Sequence, residues 1–155
     1  MAAGFHRFWR SAAAGLCGSV AHTGLMVLKS WAHWLPTFQP YHDLQATLTA
    51  LAGTSVNPWV PWLLSYFNGS VVLGFLYSQI YRGIPGRTGA IKGAIFGAFG
   101  WLVMGLAFFP LLGMGPFAMQ AGLGLAPAFF TLLMMLTYSI TLGVAYAVFS
   151  PERRR

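Results

Sequence analysis

The sequence predicts an all-α membrane protein, a polytopic bundle of four transmembrane helices built as two tandem parallel helical hairpins. Three observations lead there. Of the 155 residues, 57% are hydrophobic and only 7% charged, with a mean hydropathy of +0.64. Four apolar segments each approach or exceed the ~20 residues needed to cross a hydrocarbon core about 30 Å thick at 1.5 Å per residue. The basic residues sit at the edges of those segments. A soluble domain is roughly 45–50% apolar and about 25% charged, so nine basic and two acidic side chains leave too little charge to keep such a surface in water. The same numbers exclude disorder, which needs low hydrophobicity and high charge. Residues 1–155 are therefore expected to form a single membrane domain.

The first span is expected at about residues 11–28, diluted by Cys17, Ser19, His22 and Thr23. Arg7 and Arg10 before it, with Ser19-Val20-Ala21 inside it, give it the look of a secretory signal. The apolar run continues through Gly24-Leu25-Met26-Val27-Leu28, which favours a retained helix. An outer connection, 29–57, follows and has room for a short interfacial helix at 44–52. The second span is expected at 58–81 and the third at 89–112, joined by the basic inner connection 82–88. Pro110 and Gly113-Met114-Gly115-Pro116 end the third helix. The uncharged outer connection 113–122 lies at the interface or re-enters shallowly, and its backbone needs protein or headgroups around it. The fourth span is expected at 123–149. The lone Cys17 allows no disulfide framework.

Orientation follows from Lys and Arg, which collect in cytoplasmic loops. Arg7 and Arg10 precede the first span, Arg82, Arg87 and Lys92 surround the inner connection, and Arg153, Arg154 and Arg155 end the chain. Lys29, at a helix end, is the one base on the outer connections. Both termini are thus expected in the cytoplasm, with the chain a multi-pass protein of a bacterial inner membrane. Trp31, Trp34, Trp59 and Trp62 read as an outer aromatic belt, and Phe8, Trp9, Tyr77 and Tyr81 as an inner one. The net charge of +7 does not indicate a nucleic-acid partner, because no basic face with interleaved aromatics exists. Membrane lipids are the expected partners, and the terminal arginines would meet anionic headgroups.

The two returning helices look duplicated. Moving residues 58–80 forward by 69 places Pro58 on Pro127, Leu63-Leu64 on Leu132-Leu133, Ser70 on Ser139, Leu73-Gly74 on Leu142-Gly143 and Tyr77 on Tyr146. The outgoing helices match at an offset of 78, pairing Gly15 with Gly93, Ser19 with Gly97 and Met26 with Met104. Both copies would start in the cytoplasm, as parallel repeats about an axis along the membrane normal.

Helices in lipid associate through close backbone packing and shared polar groups. Gly89, Gly93 and Gly97 recur every four residues and so lie on one helix face, nearly bare of side chains. The first span has shorter versions in Ala14 and Gly18, and in Gly15 and Ser19. These faces serve packing within the chain or against a partner subunit, and the sequence leaves both open.

Only two acids exist, Asp43 and Glu152, and neither falls in a span. Ion-coupled transport usually relies on intramembrane ionisable groups, and acid–base hydrolysis on positioned ones. No catalytic residues are predicted. His22 and Asn68 are the intramembrane polar residues at similar depth, and a His22–Asn68 or His22–backbone hydrogen bond is the simplest expectation. The alternative for His22 is a metal-centred pigment, because neutral imidazole is the commonest metal ligand. Gly18-Ser19-Val20-Ala21-His22 is similar to the small-x-x-x-His pattern of bacterial light-harvesting polypeptides, and that resemblance implies bacteriochlorophyll at His22. Haem normally needs a second axial ligand, which no other spanning histidine supplies. His33, His42 and Asp43 on the outer connection read as ordinary interfacial residues, and no metal site is predicted.

The Gly-rich first and third helices, the basic loop Arg82-Gly83-Ile84-Pro85-Gly86-Arg87-Thr88-Gly89 and the Leu142-Gly143-x-x-Tyr146 pattern resemble the four-helix bacterial inner-membrane proteins grouped as domains of unknown function. The resemblance covers most of the chain and implies no activity. The function expected is that of a non-catalytic accessory subunit of a larger membrane complex, respiratory or photosynthetic in type, with other integral membrane subunits as partners. The alternative is a small transporter or channel lined by Ser65, Asn68, Ser70, Thr137, Ser139 and His22. A lipid-directed enzyme lacks catalytic groups.

Overall fold

The computed structural model describes residues 2–150, with side chains from residue 6 onward. Regular structure among the described residues is entirely helical. In chain order, α1 is Ala2–Trp31, α2 is Pro40–Ala52, α3 is Trp59–Ile80, α4 is Gly89–Leu111 and α5 is Ala126–Phe149. Residues His6–Trp31 of α1, together with α3, α4 and α5, are long and apolar enough to cross a membrane.

Local chemistry sets the ends of these helices. Pro40 opens α2, where its missing N–H has no intrahelical role. Gly53 closes it with a φ of 67°, and its N–H bonds the Thr49 carbonyl at 3.0 Å. The Thr88 hydroxyl accepts from the Ile91 amide at 3.3 Å and so caps α4. Two helices contain wider π-helical segments, Asn68–Leu73 in α3 and Met104–Phe108 in α4. Each holds a buried glycine, Gly69 or Gly105, pressed beneath a neighbouring side chain.

α5 lies against both α1 and α4, and α3 lies along α1. The core forms two layers. One, near the described ends of the chain, is built on Ala14, Tyr77, Phe96, Tyr138, Leu142 and Tyr146. The other, near the long connections, is built on Met26, Phe38, Phe109, Ala118, Phe130 and Met134. The outside of the bundle is apolar, with Leu63, Phe67, Phe99, Leu106, Phe129 and Val148 exposed. A water-soluble fold rarely tolerates so large a contiguous apolar surface, and a hydrocarbon solvent favours it.

Several details differ from the sequence reading. α1 begins at Ala2 rather than near Ser11, because nothing in Ala2–Arg10 breaks a helix and the basic turn can extend beyond the apolar layer. The interfacial helix begins at Pro40 rather than Leu44. Residues 113–122, expected to need protein or headgroups around their backbone, fold back onto the bundle. Phe117 reaches the Trp101 ring at 4.7 Å and covers Gly105, while Ala118 is buried. Tyr77 does not join an interfacial belt. It is fully buried, because Gly143 opposite leaves room for its hydroxyl end, and Tyr81, Phe96 and Tyr146 surround it. Glu152, Arg153, Arg154 and Arg155 lie outside the described residues.

Candidate functional site

The glycines bring the helices into backbone contact. A Cβ on Gly93 would sit 2.1 Å from the Ser139 carbonyl oxygen, and one on Gly89 2.2 Å from that of Gly143. Gly97 faces Ser139 and the Met135 carbonyl. On α1, Gly15 meets the backbone of Gly69 and Ser70, and Gly18 meets Tyr138. Ser19 Oγ lies against Gly69. The two helix pairs use equivalent contacts. Gly15 faces Ser70 where Gly93 faces Ser139, and Gly74 faces Ser11 where Gly143 faces Gly89. Each pair is antiparallel, since the contact partners advance in opposite directions along the two helices. The buried hydroxyls of Ser19 and Ser139 have no side-chain hydrogen bond. Tyr138 instead donates to the Gly69 carbonyl at 2.6 Å, tying α5 to the π-helical segment of α3.

His22 and Asn68 do not come together. The π-helical segment starts at Asn68, and Gly69 is the residue that faces α1. One residue earlier, Asn68 is turned about 100° away; it is exposed and makes no hydrogen bond among the described residues. It lies nine residues into α3, about 14 Å from the Trp59 end, which is the middle of the apolar layer. His22 is half-buried on the other side, edge-on to Tyr41 with ring centroids 6.5 Å apart. Tyr41 stacks on Trp62 at 4.2 Å, and its hydroxyl pairs with Ser65 Oγ at 3.0 Å. Beside it the Thr23 and Tyr66 hydroxyls pair at 2.8 Å. α2 is therefore folded down onto α1 and α3 by aromatic and hydroxyl groups. Burial raises the Tyr41 phenol above its ordinary range, partly offset by the Ser65 hydrogen bond.

Sequence reasoning missed Lys29. It is 4% exposed, and its ammonium donates to the Phe38 carbonyl at 2.6 Å. The Phe38 and Phe130 rings lie 5.9 and 5.7 Å from Nζ. Ring quadrupoles attract a cation at such distances, so the ammonium is held by a carbonyl and two π faces without a carboxylate. The signal in the sequence was a lone Lys just before an aromatic-rich connection, Trp31 to Tyr41.

Asp43, in the first turn of α2, has its carboxyl held above the ordinary range by partial burial, offset in part by His42. Among the described residues no three His, Cys, Asp or Glu side chains gather as a metal site would require.

Helices of this length and apolarity, apolar outside and sealed inside by glycine contacts, define a multi-pass membrane protein. The chain belongs to the family of unknown function DUF6789, whose model matches residues 5–155. Comparison with curated proteins and with solved structures returned no match.

Proposed function

We propose that this protein is a non-catalytic subunit of a larger membrane assembly and acts by helix packing against neighbouring integral subunits. One observation carries the reading. Asn68 lies at mid-depth of an apolar helix, points away from its own bundle and has no hydrogen-bond partner among the described residues. An amide in hydrocarbon is costly, and polar side chains in spans usually face a helix or a cavity. A neighbouring helix supplies the missing donor and acceptor.

The glycine ridges are engaged within the chain, leaving the apolar α3 face around Asn68 for the partner. The transporter reading is less well supported, because its six polar residues face different neighbours. Ser65 is paired with Tyr41, Ser70 donates to the Tyr66 carbonyl, Ser139 is buried against Gly97, and Asn68 is outside. The equivalent contacts of the two helix pairs support a duplicated hairpin in parallel orientation. The basic residues at the described ends support a cytoplasmic location for that face, in a bacterial inner membrane.

The test is mild detergent extraction from native membrane, followed by size separation with an absorption spectrum across the peak. The wild-type chain is expected within a larger assembly and the Asn68→Leu variant outside it. A lone monomer from every mild extraction would overturn the reading. The spectrum also shows whether the assembly is coloured, and His22→Ala then tests whether this chain contributes a pigment ligand.

A further inference from the structure

The face carrying the described ends holds a cleft of about 410 Å³ walled by three helices. α1 contributes His6, Arg7 and Arg10, the turn after α3 contributes Arg82, and α5 contributes Tyr146. Residues three apart share a helix face, so Arg7 and Arg10 present side by side. Their charges repel one another unless something negative lies between them. The chain does not supply it from within the described residues. The one described acid, Asp43, is in α2 at the opposite end of the bundle.

The groups around the cleft have distinct parts. Arg7 is fixed: its guanidinium donates to the Ser78 carbonyl at 2.5 Å and to Gln79 Oε1 at 2.8 Å, at the C-terminal end of α3. A cation is favoured there by the helix dipole. Arg10 makes no hydrogen bond or ion pair among the described residues, and its guanidinium is exposed at the cleft. Tyr146 packs its ring on Tyr77 and Tyr81, yet its hydroxyl has no acceptor among the described residues while it lines the cleft. A planar guanidinium and a phenol O–H converging on one space match the oxygens of a tetrahedral oxyanion, which accept several donors at once.

We infer that this cleft is a binding site for a phosphoryl group, held by Arg10 and Tyr146 with Arg7 as the anchored wall. Its position at the ends of α3 and α5 is the depth of lipid headgroups, and basic pockets between spanning helices take such headgroups. A phospholipid monoanion and a soluble phosphate share this chemistry.

The full chain, delipidated in detergent, is titrated with phosphatidylglycerol, with phosphatidylcholine or with inorganic phosphate, and occupancy is read by native mass spectrometry. Retention of phosphatidylglycerol over phosphatidylcholine is expected, falling about five-fold in Arg10→Gln, the factor equivalent to the ~1 kcal/mol that one basic residue gives at an anionic surface. Tyr146→Phe lowers retention without changing charge. Arg87→Gln removes a charge from the nearby connection, outside the cleft, and leaves retention unchanged. Binding of inorganic phosphate alone, lost in Arg10→Gln, assigns the site to a soluble phosphate; binding of phosphatidylglycerol alone assigns it to lipid. Equal losses in Arg10→Gln and Arg87→Gln, or no loss in either Arg10→Gln or Tyr146→Phe, would overturn the site. Far-ultraviolet circular dichroism confirms that each variant keeps its helices.

Discussion

Replacing Gly93 by alanine tests whether backbone contact between α4 and α5 holds the bundle together. The added carbon would lie 2.1 Å from the Ser139 carbonyl oxygen and 3.0 Å from the Ile140 Cα. Non-bonded heavy atoms sit best at about 3.5–4.0 Å, so the helices must part by roughly 1 Å or more. The obstacle is backbone on both sides, and no side chain can swing away to absorb the shift. Overpacking of this kind costs about 1–3 kcal/mol, and the upper end applies because a whole ridge must move. Alanine is intrinsically better than glycine in a helix by about 1 kcal/mol, which leaves a net loss of about 2 kcal/mol. Gly24 on α1 provides the control, since a Cβ there meets nothing within 4 Å. Gly24→Ala is expected to match the wild type or exceed it by up to about 1 kcal/mol. The assay is reversible unfolding in mixed micelles by titration with a denaturing detergent, followed by circular dichroism. Equal stability of Gly93→Ala and wild type, or an equal loss in Gly24→Ala, would refute the reasoning.

Three further outcomes are expected from the same assay. Tyr138→Phe removes the donor to the Gly69 carbonyl and should cost about 0.6 kcal/mol and no more than about 1.7 kcal/mol, the average and the maximum measured for hydrogen bonds between membrane helices. Phe38→Ala empties a site that is 1% exposed and uncovers the Lys29 ammonium, so a loss of about 3–5 kcal/mol is expected. Lys29→Met keeps the side-chain length without the charge and should be far milder than Phe38→Ala, because replacing a buried charge by an apolar isostere is often neutral or better. Asp43 has its folded-state pKa raised by burial, so its contribution to stability is present at low pH and is lost as pH rises through that value. Asp43→Asn should therefore be more stable than wild type at pH 7, with the difference closing as pH falls into the carboxylate range; a pH series of melting curves checks this.

The role of Lys29 shows where sequence reasoning stops. Its position at the end of a span reads as an ordinary helix-end base, since long basic side chains reach to the interface there. The connection that follows turns back through Phe38 and places a carbonyl and two aromatic rings on the ammonium. That return path is a contact between segments, and no local pattern encodes it. The expected His22–Asn68 pair failed for a related reason. Depth along two helices is readable from residue count, whereas the azimuth of Asn68 depends on the π-helical segment that turns Gly69 toward α1.

What the sequence determined by itself was the number, length and approximate place of the spanning helices, because hydropathy, prolines and glycine caps act within a single segment. The third span was placed from Gly89, where α4 begins, whereas the start of α2 at Pro40 was not read. The four-residue glycine spacing identified one face of α4, since residues four apart lie on one side of a helix. Only the tertiary structure decided which helix meets that face, which tyrosines are buried, and which side of α3 looks outward. In water the hydrophobic effect separates inside from outside and leaves an amphipathic stripe in the sequence. In lipid both sides of a helix are equally apolar, so Leu63 and Leu142 look alike in the sequence although one is exposed and the other fully buried.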